Sequence, residues 1–201
     1  MYRVQPIRDL DALNRCYDIA RKHDRGRIRG GVSWELLLLL GFNTSLRISD
    51  LRRLKVKDIY LREYCEIKAK KTGKMAKILI NPAARRELNR ILRTMDGDDY
   101  IIQSREKDLA DNGKRSISRQ RAWQIINNIA RQAGIEDHIG CHTLRKTFGY
   151  WYYKQTNDVV SLQRILGHTN RRDTLVYIGV IQEDIDESLM RFNILTGRTR
   201  V

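Results

Sequence analysis

The stretch TSLRISDL places Arg47 just beyond a run of five leucines, residues 36–40. A guanidinium has five donors, no acceptor and a permanent charge, so beside an apolar helix it calls for an anion. Two sources are open: Asp50, one helical turn further on, or a phosphate from outside the chain. Other chemistry-bearing side chains are Lys71 in KAKKTGK, His142 and Arg145 in CHTLRKTFG, and His168 in LGHTNRRDTLVYIGV, with Tyr177 nine residues after His168. Arginine forks grip phosphate oxygens without losing their charge. An ammonium can protonate a departing oxygen, and an imidazole can donate to phosphate or relay a proton. A phenol, with a free pKa of about 10, attacks phosphorus readily only when a base or nearby cations help it ionise. Each residue also has a plainer use: an Arg47–Asp50 ion pair, a solvated Lys71, a His168 that caps a helix end, and a Tyr177 that is one packing aromatic among nine tyrosines.

Composition favours an anionic partner. The chain has 201 residues, with 39 Lys and Arg against 24 Asp and Glu, a formal charge of +15. Neutralising phosphates with such a surface releases condensed counterions, so nucleic acid is the simplest partner; a generically cationic surface is the alternative. Three widely spaced cysteines, Cys16, Cys65 and Cys141, do not make a disulfide framework and fit a reducing, cytoplasmic setting. The N-terminus lacks a signal-peptide pattern and the five-leucine run is far too short to span a bilayer, so no membrane association is expected. No linker, low-complexity tract or repeat interrupts the chain, and one domain over residues 1–201 is expected.

The elements that must carry these side chains can be read from periodicity. Residues 9–22 predict a helix with Asp9 as N-cap, followed by a basic loop over 21–31. Ser33 should cap an apolar helix ending at Leu40, with residues 41–45 as its break and a short helix over 48–54. The pattern then alternates: Cys65, Ile67 and Ala69 share one face, Glu66, Lys68 and Lys70 the other, and a turn at Thr72 and Gly73 returns the chain through Ile78 and Ile80 as a β-hairpin. Pro82 opens a helix to about residue 95, an extended piece and a polar loop follow, and Ser118 caps a helix to Gln132 that stops at Gly134. Helices are expected from Thr143, over 158–167 with Gly167 as terminator, and around 174–178. The tail, 182–201, carries Ile185, Leu189 and Phe192 on one helical face and can either pack within the chain or dock on a neighbouring subunit. The fold class is α+β, mainly α-helical with one small antiparallel sheet.

The four motifs quoted above, in that order and spacing, resemble the catalytic domain of the tyrosine recombinases, or phage-type integrases. The resemblance covers roughly residues 5–195 and includes six active-site positions: Arg47, Lys71, His142, Arg145, His168 and Tyr177. It implies the DNA breaking-rejoining fold and a site-specific recombinase or integrase that cuts and rejoins strands through a 3′-phosphotyrosine on Tyr177. It further implies that Lys71 is the general acid, although Lys70 and Lys74 compete for that role. Asp50, one helical turn after Arg47, is expected to orient that guanidinium from behind. The implied partner is double-stranded DNA, with a homotetramer on synapsed sites and a monomer possible without DNA. Larger relatives carry an N-terminal clamp domain, whereas about 46 residues precede Arg47 here. The chain is therefore expected to be a naturally short recombinase, as a start at Met1 favours, or an excised catalytic fragment. Relaxation of DNA in the manner of a type IB topoisomerase, and non-catalytic regulation by the same fold, are the rival readings.

No cofactor and no metal are expected. His138, Cys141, His142 and His168 lack zinc-ligand spacing, and no Gly-x-x-x-x-Gly-Lys loop is present for ATP.

Overall fold

A computed structural model describes residues 4–25, 33–104 and 114–192. The chain divides into two compact units, residues 1–148 and 149–201. In the first unit, α1 (Leu10–Arg25) buries Ala12, Leu13, Cys16 and Ala20 on one stripe. It runs to Arg25, so residues 23–25, expected as loop alone, are helical; the rest of that basic segment, 26–31, lies outside the described residues.

Helix α2 (Trp34–Asn43) is the centre of this unit. All five leucines of 36–40 are at most 5% exposed, which is the behaviour of a helix apolar on every side. Its N-terminus is held by Ser33, whose side chain accepts from Leu36 N–H, and by Asp24, whose carboxylate accepts from Trp34 and Glu35 N–H. Gly41 does not break the helix as expected. A Cβ built there would lie 2.5 Å from Leu144 Cδ1, so this glycine is present for close packing. Helix α3 (Ile48–Leu51) follows, then a 3₁₀ turn at Val56–Asp58.

Strands β1 (Tyr64–Lys68) and β2 (Met75–Leu79) pair antiparallel, with Tyr64 opposite Leu79 and Lys68 opposite Met75. Cys65 faces inward as the alternation predicts, but the connection spans 69–74 and not two residues. It closes through Ala69 N–H to Lys74 O and Gly73 N–H to Ala69 O, with Gly73 at φ +67°. Pro82 occupies the first turn of α4 (Pro82–Leu92), which ends three residues short of its expected limit. The extended piece makes isolated bridges at Tyr100 with Lys55 and at Gln103 with Ser116; the polar segment 105–113 lies outside the described residues. Ser118 caps α5 (Arg119–Gln132), and Gly134 follows it at φ +74°.

Helix α6 (Cys141–Thr156) begins in the first unit and ends in the second. The second unit continues with α7 (Val159–Leu166), terminated by Gly167 at φ +64°, then α8 (Arg171–Ile178) and α9 (Val180–Arg191). Leu162, Leu166, Thr174 and Ile178 are buried within it, whereas Ile185, Leu189, Met190 and Phe192 are exposed; residues 193–201 of the tail lie outside the described residues. No helix among the described residues is long and apolar enough to cross a membrane.

Candidate functional site

Arg47 owes its position to the turn that leaves α2. Thr44 Oγ1 donates to Leu40 O at 2.6 Å, and Ser45 then adopts φ +56°, a left-handed conformation that costs a side-chain-bearing residue about 1 kcal/mol. That conformation is held by a residue distant in sequence. Arg145, 6% exposed on α6, donates from Nη1 to Ser45 O at 2.6 Å. The turn that receives Arg145 therefore delivers Arg47, two residues later, as the N-cap of α3. Two cations 98 positions apart in sequence, 145 less 47, are tied to one piece of backbone.

His142 joins them one turn before Arg145, on the opening turn of α6. Gly140 N–H donates to Thr143 Oγ1, which fixes the entry to the helix. The His142 ring keeps solvent access, and its pKa is held below the usual 6.5, first by partial desolvation and then by the charges of Arg119, Arg145, Arg47 and Lys146. Arg119 and Lys146 did not stand out in the sequence. The available signal was weak: a cation directly after Arg145, and another at the start of a capped helix. Lys146 is only 6% exposed, an unusual placement for a lysine.

Asp50, expected behind Arg47, has its hydrogen bond elsewhere. Its buried carboxylate, in a residue 1% exposed, accepts the backbone N–H of Lys70 at 2.7 Å, and no Arg47–Asp50 ion pair forms among the described residues. An amide that would otherwise lie unpaired near the hairpin end satisfies the carboxylate. Arg53 adds a bond from Nη1 to Lys68 O at 3.2 Å. Asp50 thus pins the hairpin end to α3, and Lys71 is the next residue along, exposed on the 69–74 connection; Lys70 and Lys74 are exposed there too.

In the second unit His168 and Tyr177 are brought together. Left-handed Gly167 ends α7 and releases His168, whose carbonyl accepts from Gln163 Nε2 at 3.2 Å. Nδ1 of His168 lies 3.2 Å from Thr174 Oγ1, and that hydroxyl also lies 3.2 Å from Asn170 O. A threonine proton directed at Asn170 O leaves its oxygen to accept from His168 Nδ1–H, which orients the ring. The ring meets Tyr177 edge-on, with centroids 5.0 Å apart at 80°. Tyr177 sits in the last turn of α8, a helix capped by Asn170 accepting from Asp173 N–H at 2.7 Å and stopped by Gly179 at φ +83°. The Tyr177 hydroxyl oxygen is out of contact with solvent.

A sequence model described as the phage integrase family matches residues 11–183. The chain is 35% identical over 184 residues to the probable integrase/recombinase YoeC of Bacillus subtilis (strain 168), covering 91% of this chain and 93% of that one. It is 30% identical over 163 residues to the tyrosine recombinase XerA of Pyrococcus furiosus, covering 80% of this chain and 54% of the relative, so it spans about half that protein's length. The fold is shared with the XerH site-specific recombinase solved on a palindromic difH substrate as a post-cleavage complex, at a TM-score of 0.66 and 18% identity over 93% of this chain and 53% of that one. The chain belongs to the phage integrase family, the tyrosine recombinases.

Proposed function

We propose that the protein is a site-specific DNA recombinase whose Tyr177 captures a phosphodiester of double-stranded DNA. The Tyr177 oxygen bonds to phosphorus as the bond to the 5′ oxygen breaks, leaving a 3′-phosphotyrosine and a free 5′-hydroxyl. Attack by a 5′-hydroxyl reverses the step and rejoins a strand, with the ester's energy conserved. Arg47 and Arg145 hold the non-bridging oxygens, Lys71 protonates the departing 5′ oxygen, and His142 and His168 donate to phosphate, His142 also taking part in moving the phenol's proton. The observation that carries this reading is the single turn 44–47, which serves both arginines and so presets two phosphate-binding groups before any ligand arrives. The His168–Tyr177 contact supports it from the other unit.

XerH was solved bound to its palindromic difH substrate, and lambda integrase as a tetramer bound to a Holliday junction. We extend this to a homotetramer of the present chain on synapsed duplexes, with a monomer in the absence of DNA. Exposed Ile185, Leu189 and Phe192 supply an apolar surface for the tail, 182–201, to dock on a neighbouring subunit. The test of the chemistry is a nicked suicide duplex spanning the host attachment region. A covalent protein–DNA adduct is expected, released by protease as a 3′-linked peptide and absent with Tyr177→Phe. An adduct that survives Tyr177→Phe would overturn the assignment of the nucleophile.

A further inference from the structure

Arg52 is a cation that the reaction scheme above leaves unused. It is the C-cap of α3, five residues after Arg47, and its N–H donates to Ile48 O. Its side chain is half-buried, and its Nε is buried with no hydrogen-bond acceptor. Arg52 lies within electrostatic reach of Cys141, the residue before His142, whose thiol burial keeps protonated; among the described residues no carboxylate pairs with Arg52. Asp50, two positions earlier, is already engaged with Lys70 N–H. On the other side of Cys141, its Sγ donates to Arg119 O at 3.8 Å. The opening turn of α6 is thus flanked by Arg52 and Arg119 and followed by Arg145 and Lys146.

Burying part of a guanidinium without a partner is unfavourable, and burial holds the Arg52 pKa below the ordinary arginine value. A group retained in that state gains most when an anion is supplied from outside. We propose that Arg52 binds a DNA backbone phosphate flanking the one held by Arg47 and Arg145. The proposal rests on the recombinase reading above. It gives the guanidinium the counter-charge that the fold withholds, and it makes Arg52 a residue that positions the duplex without touching the reacting phosphorus.

The experiment uses the full chain carrying Tyr177→Phe, so that binding is measured without cleavage, on a mixed-sequence duplex of roughly 30 base pairs across a salt series. Arg52→Met is expected to bind about tenfold more weakly near physiological salt, and to lower the slope of log K against log salt by about 0.9, the value for one phosphate contact. Arg52→Lys keeps the charge and is expected to keep the slope. Free of DNA, Arg52→Met should melt no lower than its parent, because an uncompensated charge has been replaced by an apolar chain of similar length. An unchanged slope for Arg52→Met would overturn the proposal, as would a lowered melting temperature that Arg52→Lys restores together with an unchanged slope. If the parent itself showed no salt-dependent DNA binding, the recombinase reading would fail and this inference with it. Salt-dependent binding by the parent with an indifferent Arg52→Met would sink this inference alone.

Discussion

His142 is the residue whose surroundings make the sharpest solution prediction. Its pKa lies below 6.5 because partial desolvation and then four cations oppose a further positive charge. The unfolded chain, lacking those cations, takes up the proton more readily. The stability associated with the neutral ring is therefore complete above about pH 6.5 and is lost as pH falls through the lower folded value. In the free protein the His142 ring should titrate below 6.5 by NMR, and DNA bound to the Tyr177→Phe protein should move the midpoint upward, since phosphate offsets the cations. His142→Gln should flatten the decline of melting temperature on the acid side. A free-protein midpoint at or above 6.5 would contradict the cation cluster. Residue types were legible in the sequence here, and partners were less so. The local neighbour of Asp50 is Arg47, but its hydrogen bond goes to Lys70, twenty positions away, and no spacing rule announces that. The Arg145–Ser45 bond is likewise a property of packing, its ends lying 100 positions apart.

At the scale of elements, the local stop and start signals were readable because they act on adjacent backbone. Ser33 and Ser118 accept from the N–H groups three residues on, and Gly167 takes the left-handed conformation that ends α7. Glycines that serve packing carry no such local mark, which is why Gly41 reads as a break while its neighbour is Leu144, about a hundred positions off. Gly149 is the corresponding case in the second unit, and it bears on function. A Cβ there would lie 2.7 Å from Ile178 Cγ2 and 3.5 Å from Leu166 Cδ1, so α6 and α8 can approach only as they do with glycine. Ile178 is the residue after Tyr177. Gly149→Ala should destabilise the protein by about 1–3 kcal/mol through overpacking, and shift α8 enough to slow adduct formation more than it weakens DNA binding. Thermal melts, duplex titration and single-turnover cleavage on the suicide substrate separate the three quantities. Full-rate cleavage by Gly149→Ala would show that the α6–α8 contact does not set the tyrosine's position.

For the molecule as a whole, composition was informative about charge and silent about internal division. The boundary between the two compact units falls at residues 148 and 149, inside the continuous helix α6, so neither a proline nor a polar linker marks it. The placement of the cysteines follows the same separation of surface from interior as the charge. The excess of arginine and lysine gives a net +15, and most of the described ones are at least partly exposed, Arg145 and Lys146 being buried, while Cys16, Cys65 and Cys141 are 1%, 0% and 8% exposed. Burial pushes the thiol of Cys16 up to about 11 and that of Cys65 up to about 12, and raises Cys141 in spite of the opposing charges of Arg119 and Arg52. Since the thiolate is the reactive form, all three should resist a thiol reagent at pH 8 in the native state and react together once denaturant opens the chain. Cys141 is the decisive one, being the least buried and the one beside His142. Its protection should follow global stability across a urea series, and rapid native-state modification at Cys141 would mean that the opening turn of α6 frays independently, which would undo the preset geometry assigned to His142 and Arg145.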